Sequence, residues 1–80
     1  MKRYLIVLEK AAGNWGAFAP DLPGCVALGD TVEETMQLMR DAIDMHLAGM
    51  VEDGDAIPEP TTLADYIEVE VPQPVTRKSA

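Results

Sequence analysis

Apolar residues run unbroken from Tyr4 to Leu8 before Glu9 ends the series. A short run rich in apolar and β-branched residues predicts a strand over residues 3–9. Tyr4, Ile6 and Leu8 then point to one face, and Leu5 and Val7 to the other. Both faces are apolar, so both should be covered. One helix covers only one side of a sheet, and a second subunit is the simplest cover for the other.

Lys10-Ala-Ala-Gly-Asn14 has the turn chemistry of a hairpin, because Gly13 and Asn14 tolerate positive φ. A second strand is expected over residues 15–19, with Trp15, Ala17 and Ala19 opposite Gly16 and Phe18. Pro20 and Pro23 cannot donate to a ladder, and Pro23-Gly24 suits a type II turn. The loop Pro20, Asp21, Leu22, Pro23, Gly24 is therefore first of all a shaped turn, in which Asp21 either caps the turn or contacts a partner. Residues 25–28 form a short third strand, expected at a sheet edge.

From Thr31 the period changes from two to 3.6. Thr31 and Glu34 make a capping box, and Glu33 and Glu34 lie near the positive end of the helix dipole. Val32, Met36, Met39, Ile43, Leu47 and Met50 fall in one arc roughly 80° wide, predicting a helix over about residues 32–50 that frays near Met50–Glu52. Its four methionines suit a core stripe or an adaptable groove. Leu38 and Met45 lie nearly opposite the stripe and hint at a second contact surface. Asp55–Pro60 is a loop pinned by Ile57. Tyr66-Ile-Glu-Val-Glu-Val71 alternates cleanly, with Ile67, Val69 and Val71 facing inward, and predicts a fourth strand ended by Pro72 and Pro74.

Three strands, a helix and a strand imply an α+β domain of β-β-β-α-β order. A right-handed crossover would lay the fourth strand parallel beside the first, giving a mixed sheet ordered 3-2-1-4 with the helix on one face. This is a partial ribonuclease H-like arrangement. Residues 1–72 are expected to form the domain and 73–80 a flexible C-terminal tail.

Composition narrows the function. The 80 residues carry six Lys plus Arg, fourteen Asp plus Glu and a formal charge of -8. Residues 1–30 are neutral, while residues 31–70 hold eleven acids against Arg40 alone, a net of -10. Such a run is either a solvated face or an electrostatic match to a basic partner. An acidic chain is not expected to bind nucleic acid directly, since phosphate recognition needs clustered Lys and Arg. Cys25 is the only cysteine and His46 the only histidine. No disulfide and no structural zinc site is expected, and oligomerisation is left to supplement a small core. No apolar run is long enough for a signal peptide or a membrane helix, and a reducing cytoplasm is the expected setting.

Catalytic sets are equally thin. The only Ser is Ser79. Two-metal nuclease chemistry needs converging carboxylates, and the strands offer only Glu9, Glu68 and Glu70. No enzyme activity and no cofactor is expected.

The string Gly16-Ala-Phe-Ala-Pro-Asp-Leu-Pro-Gly-Cys25, followed by Ala27-Leu-Gly-Asp-Thr31-Val-Glu-Glu34, resembles the signature of the HicB-like antitoxin family. Asp41-Ala-Ile43, His46-Leu47, Gly54 and Ile57-Pro58-Glu59-Pro60 continue the likeness, which spans about residues 3–71. The resemblance implies a truncated ribonuclease H-like domain without nuclease residues. It also implies a partner, a small basic HicA-type toxin that cleaves mRNA and is neutralised when the antitoxin covers its active site. Many members carry a C-terminal DNA-binding module, for which nine residues after the fourth strand are too few. The residues expected to meet the toxin's Lys and Arg are Glu52, Asp53, Asp55, Glu68 and Glu70. A homo-oligomer, dimer or tetramer, is expected. The alternative is a stand-alone oligomeric structural or regulatory protein without a toxin.

Overall fold

The computed structural model describes residues 1–74. Three antiparallel strands, β1 (Val7–Ala11), β2 (Asn14–Phe18) and β3 (Val26–Gly29), form one sheet in the order β1-β2-β3. A single helix, α1 (Val32–Asp53), lies across β2 and β3. These are four of the five expected elements, with the first strand starting later and the helix running further.

The hairpin register pairs Ala11 with Asn14 and Val7 with Phe18. Of the two residues suited to left-handed backbone, only Gly13 adopts it, at φ 87°, and Asn14 already belongs to β2. The loop after β2 makes two successive tight turns: Leu22 N–H donates to the Ala19 carbonyl at 3.0 Å, and Cys25 N–H to the Leu22 carbonyl at 3.1 Å. Pro23 and Gly24, the latter at φ 85°, occupy the corner of the second turn as the type II geometry demands. The effect is to drive Leu22 into the core, where it is fully buried.

Thr31 caps α1, its Oγ1 accepting from Glu34 N–H at 3.1 Å, and Glu34 Oε1 reaches back to Asp30 N–H at 3.5 Å. The far end does not fray at Met50–Glu52. Gly54 takes φ 76°, its N–H donates to Val51 O, and Asp55 N–H donates to Met50 O at 2.9 Å. This Schellman pair satisfies two of the carbonyls left open by the last turn and carries the helix to Asp53.

The core is small: Ala17, Ala19, Leu22, Cys25 and Met39, with Tyr4, Ile6, Leu8, Ala27, Ala42, Ile43 and Leu47 packed around it. The helix meets the sheet through Thr35 and Met39, both fully buried. Thr35 was not anticipated as a core residue. Its hydroxyl donates back to the Thr31 carbonyl at 2.6 Å, which lets a polar side chain enter the core satisfied. Gly29 makes that approach possible, because a Cβ there would stand 2.5 Å from Thr35 Oγ1 and 3.0 Å from its backbone nitrogen.

The fourth strand expected at Tyr66–Val71 is absent from this sheet, and the 3-2-1-4 order is realised only over its first three strands. The reason lies just upstream. Tyr4 donates its hydroxyl to the Pro58 carbonyl at 2.6 Å, and Lys2 pairs with Glu59 at 2.7 Å. The chain then crosses to the β2–β3 loop, where the Asp21 carboxylate accepts four hydrogen bonds of 2.7–3.1 Å from the N–H and hydroxyl groups of Thr61 and Thr62. Beyond Thr62 the chain runs out from the body, with residues 61–74 all exposed. The molecule extends 68 × 27 × 20 Å, with a radius of gyration of 18.5 Å. A compact chain of this length would have about 12 Å. The expected flexible tail falls largely outside the described residues.

Two outcomes test this packing. Gly29→Ala should destabilise the fold by about 1–3 kcal/mol, seen as a lowered melting temperature, because Thr35 backbone cannot yield. The hydrogen bonds from Thr62, and then Thr61, hold the Asp21 carboxyl below its ordinary value of 3.8. A lowered folded-state value contributes stability above the ordinary one and loses it as pH falls through the folded one. The Thr61 and Thr62 amide resonances should therefore hold from neutral pH down to about 4 and move only below it. Movement between pH 5 and 7 would contradict the clamp.

Candidate binding surface

Three surfaces are left uncovered by this fold. The first is electrostatic. Glu52, Asp53 and Asp55 crowd the C-terminal end of α1, all exposed, and the last turn has no basic residue. A helix C-terminus already carries roughly half a negative charge, so these acids add to an unfavourable field that an external cation would relieve. Glu68 and Glu70 are exposed on the extended segment. The structure thus gathers three of the five expected contact acids at one helix end and puts the other two beyond the Asp21 clamp. None of the five side chains is hydrogen-bonded or ion-paired among the described residues.

The second surface is the sheet face away from the helix. Cross-strand partners share a face, so Val7, Phe18 and Val26 stand together, followed by Glu9, Gly16 and Leu28. Val26 and Leu28 are 63% and 68% exposed. This is the uncovered side that the two-faced first strand foretold. Leu38 and Met45, expected off the helix stripe, are exposed as well.

The third surface escaped the sequence. An open groove of about 770 Å³ lies between the N-terminal stretch leading into β1 and α1. Ile6, Met36, Ile43 and Leu47 give it an apolar floor, and Arg3, Arg40, Glu33 and Asp44 line it with charges of both signs. β1, which begins directly after Ile6, has no strand partner on its outer edge among the described residues. Met36 was assigned to the buried stripe, yet it is 40% exposed because nothing fills this groove. The stripe's incomplete burial could not be read from periodicity, which fixes a face but not whether a neighbour is present.

The loop Pro20–Gly24 is architectural. Pro20 is half-buried, Leu22 plugs the core, Pro23 and Gly24 turn outward, and Asp21 serves the chain's own Thr61 and Thr62. The two adjacent threonines after Pro60 were the available signal for this clamp. Cys25 is buried and unbridged, and desolvation pushes its thiol up, which removes the thiolate needed for reactivity. His46 is half-buried beside the helix stripe. Among the described residues, no three His, Cys, Asp or Glu side chains gather closely enough to hold a metal ion. No helix there is long and apolar enough to cross a membrane. What the geometry offers is surface for other proteins: one acidic, two apolar.

Comparison with known proteins gives these surfaces a context. The model of the HicB-like antitoxins of bacterial toxin–antitoxin systems matches residues 4–74. An uncharacterized 14.9 kDa protein from the rep-hol intergenic region of Haemophilus phage HP1 is 38% identical over 64 residues, covering 80% of this chain and 48% of that one. A UPF0150 protein of Synechocystis is 35% identical over 57 residues, covering 70% of this chain and 72% of the relative. Antitoxin HicB 2 of Photorhabdus laumondii is 33% identical over 76 residues, covering 95% of this chain and 54% of the relative. The chain thus spans about half the length of the phage and Photorhabdus relatives. With nearly every described residue inside the matched region, the chain belongs to the HicB-like antitoxin family of bacterial toxin–antitoxin systems.

Proposed function

We propose that this protein is a non-enzymatic antitoxin that binds and neutralises a basic HicA-type, mRNA-cleaving ribonuclease by occluding its active site, in the cytoplasm and as a homo-oligomer. The observation that carries the toxin reading is the acidic end of α1. Three carboxylates sit where the helix dipole already disfavours negative charge, and no intrachain cation offsets them among the described residues. A toxin groove built to hold RNA presents the Lys and Arg that would offset them. Complementary charge of this kind speeds encounter and rejects wrong partners more than it adds raw affinity. Family membership supplies the class of partner, a toxin.

The homo-oligomer rests on separate ground. A chain of this size buries too little surface to be secure alone, and this one leaves Val26 and Leu28 exposed on one sheet face. That observation also suits the alternative reading, an oligomeric regulatory protein without a toxin. The product of the adjacent open reading frame separates the two. A small basic protein that co-purifies with this chain and arrests growth when expressed alone supports the antitoxin.

With such a partner in hand, Glu52→Lys, Asp53→Lys and Asp55→Lys combined should slow association by about tenfold or more at low salt and flatten its salt dependence. Neutralisation should weaken in parallel, while the melting temperature stays within a few degrees because all three side chains are exposed. Unchanged association kinetics would show that the toxin docks elsewhere. Glu68→Lys with Glu70→Lys, made separately, tests whether the extended segment shares the contact.

A further inference from the structure

The segment Tyr66–Val71 has the sequence of a strand and lacks a strand's partner. Ile67, Val69 and Val71 alternate with Tyr66, Glu68 and Glu70, yet Ile67 is 86% exposed and Val69 73%. Elsewhere in the same molecule, the outer edge of β1 has no strand partner among the described residues, and the stretch leading into β1 lines the apolar groove under α1 through Ile6. The two unmet needs are complementary in two respects. An edge strand takes an added strand by main-chain pairing, and alternate side chains of that strand enter one face. A groove floored by Ile6, Met36, Ile43 and Leu47 suits the Ile67, Val69 and Val71 row. Its lining carries charges of both signs, Lys2, Arg3 and Arg40 with Glu33 and Asp44, so main-chain pairing and the apolar row carry the match.

The segment does not reach its own groove in this structure. After Glu59 meets Lys2, the chain crosses the end of the sheet to Asp21, on the β2–β3 loop, so it moves away from the β1 edge before the strand begins. Four hydrogen bonds at Asp21 fix that exit, and Pro58 and Pro60 stiffen the approach. A strand held outward with its apolar row exposed, beside a body with a vacant strand position, is the arrangement of a swapped element.

We propose that two copies of this chain exchange their C-terminal segments, the Tyr66–Val71 strand of each adding to the β1 edge of the other and filling the groove beneath α1. The sheet of each body then has four strands in the order 3-2-1-4, the fourth coming from the partner copy. The contact is two-fold symmetric, so each copy gives one strand and receives one. This inference rests on the homo-oligomeric part of the function proposed above and is independent of the toxin.

The test uses the full chain. Light scattering after size exclusion should give wild-type protein twice the mass of the chain at micromolar concentration. Ile67→Glu with Val69→Glu should give a monomer, with dissociation constant raised about a hundredfold or more, because the exchange would bury two unpaired charges. Both positions are exposed within one copy, so helix content by circular dichroism should not change. In a mixed sample of separately isotope-labelled copies, contacts between the Ile67 and Val69 methyls and those of Ile43 and Leu47 should appear between copies. A variant that stays dimeric would overturn the exchange and leave the oligomer intact, pointing to the Val26–Leu28 face. The same contacts found only within one copy would overturn it by showing that the strand returns to its own groove. A monomeric wild type would overturn both the exchange and the oligomer.

Discussion

Close approach of α1 to the sheet, permitted by small residues, is the constraint from which the other features follow. Ala17 and Ala19 present little more than backbone to the helix, and Gly29 presents none of a side chain where Thr35 passes. Met39, long and unbranched, fills the space that remains and is fully buried. Packing this close is dense but small in area. The fold therefore secures its helix with few residues and leaves much apolar surface in contact with water, which is the physical origin of the two apolar candidate interfaces.

The same economy explains how the two ends of the chain are placed. The paired turns from Ala19 to Cys25 exist to bury Leu22, and in doing so they hold Asp21 at the surface, where Thr61 and Thr62 meet it. One five-residue loop thus closes the core and directs the last segment. Its acidic residue is consumed inside the chain, whereas the acids at the end of α1 are left free to act outward. Charge that looks uniform as a net of -8 is divided by geometry into structural and available parts.

Much of this was legible in the residues. Thr31 and Glu34 announce the helix start, Pro23-Gly24 the second turn, and the two apolar faces of the first strand the exposed sheet surface. The misreadings have separate physical causes. Tyr66–Val71 does have a strand's alternation, but alternation specifies a face and not a partner, and the partner position depends on where Asp21 sends the chain. Gly49 in the last turn and Gly54 in the acidic stretch after it predict a helix that frays near Met50–Glu52. Gly54 instead takes left-handed geometry and closes the helix, its N–H and that of Asp55 donating to the open carbonyls of the last turn. On α1 the expected stripe holds at Met39, Ile43 and Leu47, while Met36 is 40% exposed and Thr35, outside that stripe, is buried because a 2.6 Å hydrogen bond to the Thr31 carbonyl satisfies its hydroxyl.

The order of the elements has a kinetic consequence. β1, β2, β3 and α1 touch chiefly their neighbours in sequence, and all are complete by Asp53. Low contact order of this kind favours rapid, concentration-independent folding of the body. The strand exchange proposed above would come after it and be bimolecular, so its rate would rise with the concentration of chain. A newly made copy would hold a finished helix and sheet while its final strand still waited for a second molecule. Assembly would then act as a count of how many copies are present, slow when the chain is scarce and prompt when it is abundant.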